Sequence, residues 1–368
     1  MKKDIEAVHT VNDTKSIVHN ILGYKYRISA SENGFELSQN KTKGQFREPK
    51  SIYPFMMSIW PTLFQSTFKN LLSKAFPQFS GNDNGSIVHT GALRRDNIFY
   101  NKIDKLSSLD QLPDILITTD LNSLYHQGFT HDFLNNNNFE ALGFPMHPMF
   151  SDTSFSDPKN LFTMLGSDTL VMVVDKLKYL SIPMPREWYE LLNPQLSKSI
   201  VMCGDRDYFC NTLLCHYVKN FGYEAVRQIA KNTLSYIHPE EMLESIHSKE
   251  VKAASIYIMP YSYAKTIKNK VDYQIIWPED GAILIPIQML VKKGYYEKHI
   301  DIINFLTGEI LGADLEKNGF VSTNPKTNKS YPDTTLNWIG WDYIAETDIH
   351  KMKMKIRAIL SDKELEYR

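Results

Sequence analysis

Dense apolar runs of three to ten residues punctuate this chain, and between them lie stretches whose apolar residues recur at helical spacing. The runs Ile52 to Ile59, Asp114 to Thr119, Thr169 to Val174, Ile200 to Met202, Ala253 to Met259, Asp272 to Trp277 and Ala282 to Val291 read as buried strands. Helices are predicted over Leu63 to Phe76, where Phe64, Phe68, Leu71, Leu72 and Ala75 share a face, and over Tyr208 to Phe221, stopped by Gly222. Further helices are expected at Arg186 to Leu192, Tyr223 to Asn232, Pro239 to His247, Tyr296 to Leu306, Glu309 to Lys317 and His350 to Leu360. Ahead of them, Thr14 to Leu22 reads as a short helix and Tyr24 to Leu37 as a hairpin around Ser31 to Gly34. The polar run Ser38 to Lys50 reads as a linker.

A strand that turns directly into a helix recurs along the chain. In α/β sheets ligands sit at the carboxyl ends of such strands, where helix N-termini offer free amide donors. That geometry makes Trp60 and Thr62, Thr119 and Asp120, Asp205 and Tyr208, and Tyr261 candidate ligand contacts. Each has a plain structural alternative: Trp60 as a packed corner beside Pro61, and Asp120, Asn122, Asp205 or Asp207 as helix caps worth about 1 kcal/mol. Glu279 and Asp280 complete the set, in a turn that Pro278 and Gly281 force between two strands, beside Trp277; an exposed acidic turn is the alternative. Carboxylates among Trp60, Tyr208, Tyr261 and Trp277 suit a cationic ligand, whereas helix-terminal amides suit an anion, and both remain open.

Composition narrows the function classes. The chain has 368 residues, 42% of them hydrophobic, enough for two lobes with a proper core. Lys plus Arg number 41 against 42 Asp plus Glu, without a basic stripe, so nucleic acid is not an expected partner. Cys203, Cys210 and Cys215 fit neither a CxxC pair nor a zinc finger; they read as buried residues of a reducing compartment, with no metal and no cofactor. Asp4, Glu6, Asp13 and Lys15 interrupt the segment where a secretory signal would have its apolar core, which predicts a cytoplasmic location, or an extracytoplasmic one if the chain has been trimmed. No apolar run reaches the length of a membrane span. The GxSxG, HExxH, GxGxxG and GxxxxGK[ST] signatures are missing, and His126, His131, His147, His216 and His238 are scattered, so catalysis is not expected.

The order of motifs resembles an ABC-transporter solute-binding protein of the second structural type, the group with ferric-ion, polyamine, thiamine and phosphonate binders. The resemblance runs through Pro185 to Pro194 (PREWYELLNP), Ile200 to Gly222, Ala253 to Ala264, Trp277 to Lys292 (WPEDGAILIPIQMLVK) and Ile300 to Pro325. It implies an α/β fold of two lobes, with a ligand cleft between them that closes by a hinge. Carried over by segment, residues 1–47 are an N-terminal extension, 48–165 plus 277–368 one lobe, and 166–276 the other. The implied protein is a monomer that holds a small molecule or ion and hands it to an ABC permease if it delivers it. Two alternatives use the same fold: an enzyme of the thiamine-pyrimidine-synthase type and a cytosolic ligand sensor. The paired tyrosines of ferric-ion members are here Tyr261 and Tyr263, split by Ser262, a departure that speaks against an iron site.

Overall fold

A computed structural model of the chain describes residues 17–21, 24–31, 34–39, 55–79, 87–91, 100–141, 143–179, 183–204, 210–248, 254–327 and 335–361. The first elements, β1 (Ile17–Ile21), β2 (Tyr24–Ser31) and β3 (Gly34–Gln39), form a small antiparallel sheet. The hairpin is the expected one, with Ser31 opposite Gly34. The helix expected over Thr14 to Leu22 is not: Ile17 to Ile21 is a strand, paired from Ile17 against Ile28 to Ile21 against Tyr24. β-branched Ile17, Val18 and Ile21 lose side-chain freedom in a helix and fit a pleated strand.

The remaining strands join one twelve-stranded sheet. In chain order the elements are β4 (Met56–Trp60), α1 (Thr62–Ala75), β5 (Ile87–Gly91), α2 (Tyr100–Ile103), β6 (Ile115–Thr119), α3 (Gln127–Phe129), β7 (Phe139–Glu140) and β8 (Phe162–Asp175). Then follow β9 (Ile200–Cys203), α4 (Asn211–Asn232), β10 (Thr233–Ile237), α5 (Pro239–Ser248), β11 (Ile256–Pro260), α6 (Tyr261–Ala264), β12 (Tyr273–Ile276) and β13 (Ala282–Lys292). The chain continues through α7 (Ile300–Thr307), α8 (Glu309–Lys317), β14 (Val321–Ser322), β15 (Leu336–Asn337), α9 (Trp341–Glu346) and α10 (Ile349–Leu360). No described helix is long and apolar enough to cross a membrane.

The strand order β10-β9-β11-β8-β13-β6-β4-β5 divides the sheet into two parallel groups, β5, β4, β6 on one side and β10, β9, β11 on the other. Between them run β8 and β13, antiparallel to each other and to the strands they join. At about 3.3 Å per residue, fourteen-residue β8 is roughly 45 Å long, enough to run through both lobes. Its first half pairs with β13 and its second half with β11. All fourteen residues are buried. Only its second half, Thr169 to Val174, is an unbroken apolar run, because Thr163, Gly166, Ser167 and Asp168 interrupt the first.

This arrangement turns the carboxyl ends of both parallel groups toward the crossing. β6 ends at Thr119, opposite Ile287, and β11 ends at Pro260, opposite Leu170. Helices open directly after β4, β11 and, a few residues on, β9. In α1, Phe64, Phe68 and Leu72 are buried at the helical spacing expected of them. The two helices expected on either side of Gly222 follow one another in α4 and meet at a kink, where Gly222 leaves the helical conformation with φ 76° and ψ −177°. The expected helix over Arg186 to Leu192 is a 3-10 segment, Trp188–Leu192, bounded by Asn193 and Pro194.

A candidate ligand cleft at the strand crossing

A cavity of ≈60 Å³ lies where the two groups of strand ends meet. Pro61, ahead of α1, and Thr119 and Asp120, at the end of β6, wall one side. Cys203, Cys210 and Thr212, around the start of α4, and Tyr263 in α6 wall the other. Asp168 of β8 and Ile285 and Ile287 of β13 come from the crossing strands. Thr119 and Asp120 are therefore the candidates from the sequence that the fold brings to this cavity.

Asp168 was not legible as a candidate, and it is the most deeply set charge in the cleft. Its Oδ1 accepts from the amides of Thr169 (2.8 Å) and Ser262 (3.3 Å), and its Oδ2 accepts from the Ser262 hydroxyl at 2.5 Å. Burial nevertheless dominates and pushes its pKa up to about 7, against these hydrogen bonds and the nearby Lys265 cation, which favour ionisation. The carboxyl group is thus poised near neutrality, and a cation in the cleft draws it to the ionised form. Ser262 belongs to α6, so the same bonds fix the start of that helix to the crossing strand.

Asp120 adopts φ 64°, a left-handed conformation that Asp tolerates better than most residues. Its amide donates to the Pro286 carbonyl (3.0 Å), and its own carbonyl accepts from Gln288 Nε2 (3.3 Å), which ties the turn to β13. The side chain accepts from the Leu121 amide (2.7 Å) and from the Thr212 hydroxyl. The second bond runs from α4, on the far side of the crossing, back to β6, so it bridges the two groups of strands. Asn122, the alternative cap, takes that role with its Oδ1 accepting from the Leu124 amide at 2.8 Å.

The other candidates fall elsewhere. Trp60 has no exposed surface and packs its ring against Phe68 (centroids 4.6 Å apart) and Phe64 (5.2 Å), in the core beneath α1. Thr62 is half-buried at the start of α1, next to Pro61. Tyr261 meets Trp277 edge to face with centroids 5.2 Å apart. Asp205 and Tyr208 lie outside the described residues. Glu279 pairs with Arg186 at the surface, and Asp280 accepts from the Trp188 amide at 3.1 and 3.2 Å. Trp188 Nε1 donates to the Gly281 carbonyl (2.8 Å) and Asn337 to the Asp280 carbonyl (3.1 Å). The acidic corner thus clasps the segments around 186–188 and 335–337 to the start of β13.

A larger cavity, ≈350 Å³, opens between β8, α7, α8 and the loop after β14. Two carboxylates line it, Glu309 at the start of α8 and Asp157, whose oxygens are occupied by the amides of Lys159, Leu161 and Phe162. The small cavity is distinguished by its place, where strand ends of both parallel groups meet beside Asp120 and Asp168.

Architecture and cleft together define a two-lobed binding fold, and comparison with known proteins gives it a family. A model of bacterial extracellular solute-binding proteins matches residues 110–347, and the chain belongs to that family. Solved structures share the fold at low identity. One is described as a spermidine/putrescine ABC transporter from Listeria monocytogenes (16% identity, 85% of this chain and 98% of that one, TM-score 0.55). Others are a ferric binding protein from Campylobacter jejuni (14%, 83% and 98%, 0.60) and the periplasmic binding protein AfuA from Actinobacillus pleuropneumoniae with fructose-6-phosphate bound (15%, 84% and 99%, 0.60). No curated protein matches the chain. The family is extracellular, so the cytoplasmic location and reducing compartment expected from the N-terminus and cysteines have no support in it. Cys203, Cys210 and Cys215 are free and buried.

Proposed function

We propose that this solute-binding protein captures a small organic cation, an amine, in the cleft at the strand crossing. The observation that carries the reading is the pair of carboxylates, Asp120 and Asp168, presented to one cavity from either side of β13, beside Pro286 and Ile285. Two carboxyl groups at a site walled also by Ile285, Ile287, Tyr263, prolines, Cys203, Cys210, Thr119 and Thr212 favour a ligand with positive charge and an apolar stem. The similarity to a protein described as a spermidine/putrescine transporter supports the same class. The protein works as a monomeric carrier outside the cytoplasmic membrane, hands its ligand to an ABC permease and performs no chemistry on it. Its lobes are residues 48–165 plus 277–368 and residues 166–276, with 1–47 as an extension.

Titration calorimetry at pH 8 with putrescine and spermidine tests the reading. Wild-type protein binds an amine, and Asp120→Asn and Asp168→Asn each weaken it about tenfold or more, the loss expected for a hydrogen bond to a charged group. Binding of fructose 6-phosphate with no response to either amine would overturn the reading and assign the cleft to the helix N-termini.

A further inference from the structure

Outside the cleft, three side chains from distant parts of the chain turn their heads to one point. They are Asp104, directly after α2, His126, at the start of α3, and His350, in the first turn of α10. His126 Nδ1 lies 2.9 and 3.0 Å from the two Asp104 oxygens and 3.2 Å from His350 Nδ1, which is 3.8 Å from Asp104 Oδ2. His126 is buried, and the other two side chains are partly open, Asp104 38% exposed and His350 50%.

Hydrogen bonding alone does not account for this convergence. A proton on His126 Nδ1 that serves Asp104 leaves His350 Nδ1 facing a nitrogen whose hydrogen is directed elsewhere. A proton on His350 Nδ1 shared with His126 leaves His126 Nδ1 with its lone pair against a carboxylate. His350 is too far from Asp104 for a direct bond. A divalent cation takes a lone pair from all three at once. Metal–nitrogen and metal–oxygen bonds of about 2.0–2.1 Å in a tetrahedron set the ligand atoms roughly 3.3 Å apart, and the separations observed, 2.9, 3.2 and 3.8 Å, bracket that spacing. Two imidazoles and a carboxylate are a zinc-type donor set, and the open side leaves room for a water as fourth ligand.

We infer that Asp104, His126 and His350 form a binding site for a divalent transition metal, with zinc as the fitting ion. The site joins α10 to the end of α2 and the start of α3. That helix also buries Met352, Ile356 and Ile359, and its Lys353 donates to the Leu121 carbonyl beside Asp120. A metal at this point therefore fastens the C-terminal helix over the loop that carries a cleft carboxylate.

Chelator-stripped full-length protein titrated with Co²⁺, followed by its visible absorption, tests the inference. Wild type takes up one ion per chain, and Zn²⁺ displaces it. Asp104→Asn and His350→Ala, both at partly exposed positions, each weaken uptake at least about tenfold, while Asp168→Asn binds as wild type does. Zn²⁺ also raises the melting temperature of wild type but not of His350→Ala. The inference is overturned if wild type shows no saturable uptake, or if His350→Ala binds unchanged. It is likewise overturned if uptake is lost in Asp168→Asn but kept in His350→Ala, which would place the ion in the cleft.

Discussion

A carboxyl group shut between crossing strands resists ionisation, and for that reason Asp168 titrates near 7 where an exposed Asp titrates near 4. The folded state therefore holds this proton more tightly than the unfolded chain does. Between about pH 4 and pH 7 the unfolded chain has released it and the folded protein has not, so stability falls as pH rises through that window, by roughly 4 kcal/mol at most. Above pH 7 both states are ionised and the dependence ends. Asn at this position keeps the two backbone bonds on its oxygen and offers its amide to the Ser262 hydroxyl, which can turn to accept. Asp168→Asn is thus expected to melt at a higher temperature than wild type at pH 8 and to close that gap by pH 4, by calorimetry. An equal gap at both pH values would show that Asp168 is already ionised in the folded state at pH 4. Of the charged cleft residues, Asp120 was legible because a short buried strand ends on it. Asp168 was not, since an acidic residue inside a strand breaks the very pattern used to find strands.

At the scale of the element, the turn at residues 277–282 carries its carboxylates into contacts with distant segments of the chain. Its position between β12 and β13 follows from sequence, because Pro278 and Gly281 break two apolar runs. What Glu279 and Asp280 meet there is set by segments almost a hundred residues earlier and nearly sixty later, which no local pattern reveals. Gly281 has φ 99°, and a Cβ on it would come within 3.0 Å of the Asn337 Cβ. Gly281→Ala should cost about 1–3 kcal/mol in denaturant unfolding from the strained backbone alone. Glu279→Ala removes only an exposed ion pair and should change stability by less than about 1 kcal/mol and leave amine affinity unaltered. A binding defect in Glu279→Ala with normal stability would return the corner to the ligand site. The strands β5 and β10 escaped the sequence reading because β5 (IVHTG) has only two large apolar residues and β10 follows α4 without a break.

At the scale of the whole molecule, β8 and β13 connect the two lobes, and the bond from Thr212 to Asp120 closes across them. The fold as a whole was legible because repeated strand-turn-helix units lie in an order that few architectures share. The lobe-to-lobe contacts were not, because they depend on how far the lobes have closed rather than on any one segment. A cavity of ≈60 Å³ leaves room for only a few waters, so a ligand the size of a diamine enters through an opened form. Thr212→Val keeps the shape of a buried side chain and deletes its bond to Asp120, so the free protein should shift toward that open form. The central claim, capture between lobes by closure, is tested most directly by small-angle scattering of wild type and Thr212→Val with and without saturating putrescine. The account predicts a larger radius of gyration for free Thr212→Val than for free wild type, and convergence of both on one compact value when putrescine is bound. Scattering curves that stay the same in all four samples, with calorimetry showing the amine bound, would contradict it.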